Sequence, residues 1–306
     1  MKDLVSLALM EKRGALEALF LLPRLILPNN MRGRTVVSKI LQNMGTFRKG
    51  MFKDLWEKPN LVLRYGSFDP TKRAEALARV GELGAAVRAL TSEGVLEAKD
   101  HVEKLKELHP QEDPLMEPDQ LAALRDPLHA PFTSADFRYV VKKAKLKRAA
   151  DALGWRADII KQMNSEGINA ICKLCKRIAA NPEFIPEPLR PYFFGARLIP
   201  IAKKDGGVRP IAIGTIFHKL ISSAVMCNLK EKLPGFFSPV QFGVGIPGGA
   251  ENVVHGVRNL LSDHPDWVLV SLDLVNAFNS VSRAAFFRQV EKNFTNILPL
   301  GVAVLW

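Results

Sequence analysis

The chain has 306 residues, 47% hydrophobic and 24% charged. That composition excludes a disordered chain and is enough for one large or two ordinary domains. A net charge of +12 and a pI near 9.7 point to a polyanionic partner. Three cysteines are too few, and odd in number, for a disulfide framework, so a reducing compartment is expected.

The charge excess is local. Residues 131–210 hold 16 Lys and Arg against 7 Asp and Glu, whereas residues 1–130 hold 20 against 18 and residues 211–306 hold 7 against 6. No signal peptide or transmembrane segment is expected. The apolar run Leu4–Met10 is interrupted by Glu11-Lys12-Arg13, and the next is broken by Glu17 and Arg24, whereas a spanning helix needs about 20 apolar residues. An intracellular protein of nucleus or cytoplasm, away from membranes, is the expectation.

In chain order, residues 2–27 carry Leu4, Leu7, Leu16, Leu19 and Phe20 at helical spacing, bounded or kinked by Pro23 and Pro28. Residues 72–90 and 95–108 read as two further helices split by Gly94. Pro110, Pro114, Pro118, Pro127 and Pro131 mark a linker and place a boundary near residue 130. The expected organisation is a helical N-terminal region, 1–130, followed by a second domain, 131–306.

Ser134 is placed to cap a helix running to Leu153, with Gly154 as its stop. Lys142, Lys143, Lys145, Lys147 and Arg148 crowd this helix. Without acidic partners one turn away they repel one another. They are therefore candidate nucleic-acid contacts, with a merely solvated helix as the plainer alternative. Another helix is expected from Ile159 to Ala180. Its Cys172-Lys-Leu-Cys175 is read as packing, because one Cys-x-x-Cys with no second pair does not make a zinc site.

Leu198–Ala202 and Val208–Ile213 are strand-like runs around Asp205-Gly206-Gly207, a hairpin signal. Pro200 and Pro210 put this hairpin at a sheet edge. Lys203, Lys204 and Arg209 would make it a cationic flap able to close on phosphates; an edge kept soluble by lysine is the alternative. A helix is expected over Ile216–Leu233.

Gly243-Val-Gly245-Ile-Pro-Gly248 fits the dinucleotide fingerprint, but only Val240-Gln-Phe242 is available as the preceding strand, and Pro247 lacks an amide. A helix, Ala250–Leu261, follows. Val268–Leu272 then reads as a buried strand ending on Asp273. A charge at that position is costly unless paired or bound to metal, or Asp273 simply caps the next turn. A last helix is expected from Ser282 to Phe294.

Taken together, residues from about 190 to 306 resemble the N-terminal half of a reverse transcriptase domain of the non-LTR retrotransposon type. The resemblance rests on four elements in order: the hairpin Leu198-Ile-Pro-Ile-Ala-Lys-Lys with Gly207-Val-Arg-Pro-Ile-Ala-Ile, the helix after it, Gln241-Phe-Gly with its glycines and helix, and Val270-Ser-Leu-Asp273-Leu-Val-Asn-Ala-Phe278. It implies an α+β fold in which the helical N-terminal region precedes the fingers and partial palm of a right-hand polymerase. It implies an RNA-directed DNA polymerase with an RNA template, a DNA primer, deoxynucleoside triphosphates and two Mg²⁺ ions.

Residue by residue, the resemblance makes Asp273 the first catalytic and metal-binding aspartate, with the Leu274 carbonyl as a further metal ligand. It assigns Lys203, Lys204 and Arg209 to the triphosphate, together with the amides around Asn276 and Ala277. Phe278 becomes the gate under the sugar. Asn279 departs from the Asp often found after the gate. No Asp follows Asp273 and no Asp-Asp pair occurs in the sequence. The 306 residues alone are therefore expected to be a fragment without polymerase activity. Two alternatives stand beside this reading: a non-catalytic nucleic-acid-binding remnant of a retroelement, and, further off, a dinucleotide-binding Rossmann enzyme.

Overall fold

The structure, a computed structural model, describes residues 1–12, 14–27, 35–56, 69–79, 81–91, 94–109, 130–145, 150–203, 205–237 and 239–297. It is mixed, with many helices and one two-stranded antiparallel sheet, an α+β arrangement in the broad sense. The chain forms two compact units built from alternating segments. The first comprises Met1–His109, Arg148–Arg156 and Gly195–Thr215; the second comprises Pro110–Lys147, Ala157–Phe194 and Ile216–Trp306. The proline-rich stretch expected as a linker lies, for residues 110–129, outside the described residues.

The first unit opens with α1 (Lys2–Leu9) and α2 (Ala15–Ile26), where one helix over 2–27 was expected. The break falls at Glu11–Gly14, and both Glu11 and Gly14 have positive φ. Polar residues and a glycine at that point offer the chain a turn that the apolar spacing alone does not reveal. Pro23 is tolerated inside α2 and is buried. α3 (Thr35–Arg48) follows, and its buried Asn43 donates through Nδ2 to the Ile26 carbonyl at 3.1 Å, capping the end of α2. α4 (Phe52–Trp56) closes this group. Leu16, Leu19, Phe20, Leu25 and Leu55 are buried, together with Leu153 and Trp155 from the later insertion.

α5 (Pro70–Ala78) starts on Asp69, whose side chain accepts from the amides of Thr71 and Lys72. α6 (Leu83–Thr91) packs on α5 through Ala74, Leu77, Ala85, Ala86 and Ala89. The helix expected over 72–90 is thus two, broken near Gly81, whereas the expected break at Gly94 falls where α6 has ended. α7 (Val102–Glu107) is preceded by a short 3-10 turn.

β1 (Ala196–Ala202) and β2 (Val208–Gly214) pair antiparallel, with Pro200 opposite Pro210. Both prolines sit where backbone groups face away from the partner strand, so neither costs the hairpin a ladder bond. The outward carbonyl of Pro200 accepts from Leu96 N at 2.9 Å, and Ala202 N donates to Gly94 O at 3.2 Å. Gly94–Leu96 therefore lies along the outer side of β1, a pairing invisible in the sequence because its partners are about a hundred residues apart.

The second unit is helical. α8 (Ser134–Lys143) is shorter than expected, and its cap is Thr133 rather than Ser134. Thr133 and Asp136 form a reciprocal capping box. The helix ends at Ala144, and Leu153 and Gly154 belong to the other unit. The expected helix over 159–180 is two, α9 (Ala157–Lys161) and α10 (Ser165–Ala180), because Asn164 caps the second by accepting from Gly167 N. α11 (Arg190–Phe194) and α12 (Ile216–Leu229) complete the core. Phe137, Ile171, Leu174, Cys175, Ile178, Phe193, Phe217 and Ile221 are fully buried, and α8, α10 and α12 pack against one another. Beyond them lie α13 (Leu233–Phe237), α14 (Gly249–Asp263), α15 (Ala277–Ser280) and α16 (Arg283–Asn293). Ser282 Oγ caps the last of these at Ala285 N.

Candidate nucleic-acid and nucleotide-binding residues

The hairpin tip in the first unit is built as the composition suggested. Lys203 N donates to Gly207 O at 2.9 Å and Gly206 N to Lys203 O at 3.1 Å. Asp205 Oδ1 accepts from Gly207 N at 2.9 Å. Gly206 has φ +78°, which a side chain would resist. The hairpin carries exposed Lys203 on one arm and exposed Arg209 on the other. Lys204 lies outside the described residues.

In the second unit, the stretch Trp267–Val275 corrects an expectation. Val268–Leu272 forms no strand and is not buried. Val268 is 85% exposed, Val270 71% and Leu272 86%. A strand satisfies its amides and carbonyls only through a neighbour, and among the described residues no strand pairs with this one. The apolar, β-branched pattern is present; the partner that would turn it into a buried strand is not in the described part.

Asp273 and Leu274 are likewise exposed. Among the described residues no group of three His, Cys, Asp or Glu converges. One carboxylate and one backbone carbonyl do not supply the near-octahedral oxygen shell that Mg²⁺ demands. Asp273 and the Leu274 carbonyl do not by themselves fit a two-metal site.

Asn276 has φ +55° and stands at the start of the four-residue α15. Its carbonyl accepts from Asn279 N and Ser280 N, and its Oδ1 accepts from Asn279 Nδ2 at 2.9 Å. Asn is among the few residues with a side chain that tolerate this conformation. Asn279, set where an Asp was noted as usual, thus holds the turn that presents Asn276 and Ala277. The side chain of Phe278 lies outside the described part; its backbone belongs to α15.

The glycine stretch serves local packing. Gln241 Oε1 accepts from Val244 N at 2.8 Å. Gly249 N donates to Ile246 O, and a side chain at Gly249 would collide with the carbonyl of Phe242. No strand precedes Gly243 among the described residues, and the Rossmann reading, which needs one, gains no support.

Of the cations expected on one long helix, Lys142 and Lys143 lie exposed in the last turn of α8 and Lys145 is exposed just past it. Lys147 and Arg148 lie outside the described residues. Lys161, not singled out by sequence reasoning, turns its Nζ onto the carbonyls of Lys142 at 2.9 Å and Ala144 at 3.0 Å. Its signal was hidden because 19 residues separate the lysine from the helix end it serves.

In the first turn of α8, Asp136 is slightly buried, which opposes its ionisation. Hydrogen bonds from Thr133, Cys227 and Asn228 outweigh that, and its carboxyl sits below the usual value. Burial pushes the Cys175 thiol well up, with Cys172 beside it adding to the shift; both side chains are buried, the packing role their helical spacing suggested. Among the described residues no helix is long and apolar enough to cross a membrane.

The sequence matches no known protein-family model, and no curated protein matches it.

Proposed function

We propose that the chain is the fingers and leading palm segment of an RNA-directed DNA polymerase resembling those of non-LTR retrotransposons. The observation that carries the reading is the antiparallel hairpin with its Asp-Gly-Gly turn and flanking Lys203 and Arg209. Along the chain it is followed by an apolar helix, the Gln241 glycine turn, α14 and the segment Asp273–Phe278, in the order the resemblance requires. In this reading Lys203, Lys204 and Arg209 bind the triphosphate, Asn276 and Ala277 add backbone contacts to it, and Phe278 lies under the sugar. Asp273 is one carboxylate of a set whose other members lie outside the residues described. RNA template and DNA primer are the macromolecular partners, and Mg²⁺ is the metal.

The test is binding of a fluorescent deoxynucleoside triphosphate. Binding that falls at least tenfold in the double variant K203A/R209A supports the reading, since Arg–phosphate contacts are charge-assisted and bidentate. Absence of binding, or binding indifferent to the double variant, overturns it. A non-catalytic nucleic-acid-binding protein is the second reading, favoured by the exposed lysines of α8. It predicts RNA binding without triphosphate binding.

A further inference from the structure

α8 buries Phe137 and Val141 and turns a different set outward: Arg138, Tyr139, Lys142 and Lys143. Arg138 and Lys142 are one turn apart, as are Tyr139 and Lys143, so all four share one face. Arg138 Nη1 reaches Asn169 Oδ1 on α10 at 3.5 Å, and exposed Lys173 stands one turn beyond Asn169. Two helices thus contribute to one basic surface. Among the described residues, none of Arg138, Lys142, Lys143 and Lys173 is within ion-pair distance of a carboxylate.

Lysines in a last turn ordinarily serve the helix dipole and the open carbonyls. Here Lys161 already donates to the carbonyls of Lys142 and Ala144, so Lys142 and Lys143 are not needed for that task. Tyr139 is 51% exposed, which leaves about half of its surface open to solvent. Lys143 Nζ stands 5.9 Å from its centroid. A ring with an ammonium beside it offers a nucleobase a face to stack on and the adjoining phosphate a cation.

We propose that this face of α8 and α10 is a single-strand nucleic-acid track, in which Tyr139 stacks an unpaired base and Arg138, Lys142, Lys143 and Lys173 hold the flanking phosphates. Duplex is disfavoured because its bases offer no free face to Tyr139. The inference rests on the nucleic-acid part of the reading above and is independent of Asp273 and the hairpin.

The experiment is fluorescence anisotropy of the full chain with a short labelled single-stranded RNA across a salt series. Circular dichroism serves as a folding control, which these exposed substitutions should pass. K142A/K143A is expected to weaken binding at least tenfold and to flatten the salt slope by roughly 0.7 per lost phosphate contact. Tyr139→Leu is expected to weaken it about tenfold with the slope unchanged, and Tyr139→Phe to restore it, since stacking needs the ring and not the hydroxyl. Wild-type binding by K142A/K143A overturns the track. Equal affinity for duplex RNA with no effect of Tyr139→Leu overturns the stacking, and displacement by polyglutamate as readily as by RNA overturns the nucleic-acid partner. Triphosphate binding that is absent or indifferent to K203A/R209A, with RNA binding that depends on Lys142, Lys143 and Tyr139, would leave this inference standing while the polymerase reading fell; triphosphate binding lost in K203A/R209A, with RNA binding unchanged in K142A/K143A, would sink the inference alone.

Discussion

Trp155 Nε1 donates to the carbonyl of Phe20 at 2.9 Å, in the buried interior of the first unit and across 135 residues of chain. Asp151 fixes the backbone of the turn that carries the indole. Its buried Oδ1 accepts from Leu153 N and Trp155 N, both at 2.9 Å, and its own amide donates to the Trp155 carbonyl at 3.0 Å. The segment after α8 is thereby tied into the N-terminal helices. Trp155→Phe, which removes the donor and some packing, is expected to cost about 1–3 kcal/mol, and Asp151→Ala at least as much, because it strips the acceptor from two buried amides. Urea unfolding followed by Trp or far-ultraviolet signal checks both, and a change below measurement error in either would contradict this account.

Lys161 caps α8 from outside it. Lys161→Met keeps the aliphatic stem and deletes both hydrogen bonds to the Lys142 and Ala144 carbonyls. The expected loss is about 1 kcal/mol for this half-exposed group. It should appear as faster amide exchange in the last turn of α8 with the rest of the unit unchanged.

His218 gives the second unit a pH dependence. Burial holds its imidazole below the usual 6.5, and the ring lies edge-on to Phe194 at 6.2 Å. The unfolded chain takes up this proton near 6.5 and the folded chain only at lower pH. Between the two the unfolded state therefore binds more protons and stability falls as pH falls. The contribution is fully present above 6.5. Urea midpoints should drop on acidification through 6.5, and His218→Gln should flatten that limb; an unchanged slope in the variant would refute the assignment.

The exposed apolar run Val268–Val275 predicts self-association. Val268, Leu269, Val270, Leu272, Leu274 and Val275 are each at least 63% exposed, and extended apolar edges recruit neighbours. Sedimentation of the 306-residue chain should show concentration-dependent oligomers that V270K/L272K disperses. A monodisperse wild-type monomer would contradict this.

Among the described residues Asp273 belongs to no group of three or more His, Cys, Asp or Glu able to hold a metal. The 306-residue polypeptide alone is therefore expected to show no template-directed nucleotide incorporation, and Asp273→Ala to leave RNA binding unchanged. Incorporation that vanished in Asp273→Ala would show that the chain is a working polymerase after all.

Local signals were legible in the residues. The hairpin and its turn follow from Pro, Asp and Gly placed between β-branched runs. The helices over Ile216–Leu229, Gly249–Asp263 and Arg283–Asn293 follow from apolar spacing and caps. What the sequence misplaced were ends and partners. α8 stops at Lys143, ten residues before the expected Leu153, because Asp151–Trp155 packs elsewhere. Val268–Leu272 has the composition of a strand and none of its pairing.

Composition and short-range spacing thus determined the charge distribution, the hairpin and most helical segments, since each depends on interactions within a few residues. Only the tertiary structure decided that Gly94–Leu96 covers β1, that Trp155 returns to Phe20, that Lys161 closes α8, and that Arg138 and Asn169 join two helices into one basic face. These are contacts between residues far apart in the chain. Their free energy depends on burial and hydrogen-bond satisfaction in the folded state, which no local pattern encodes.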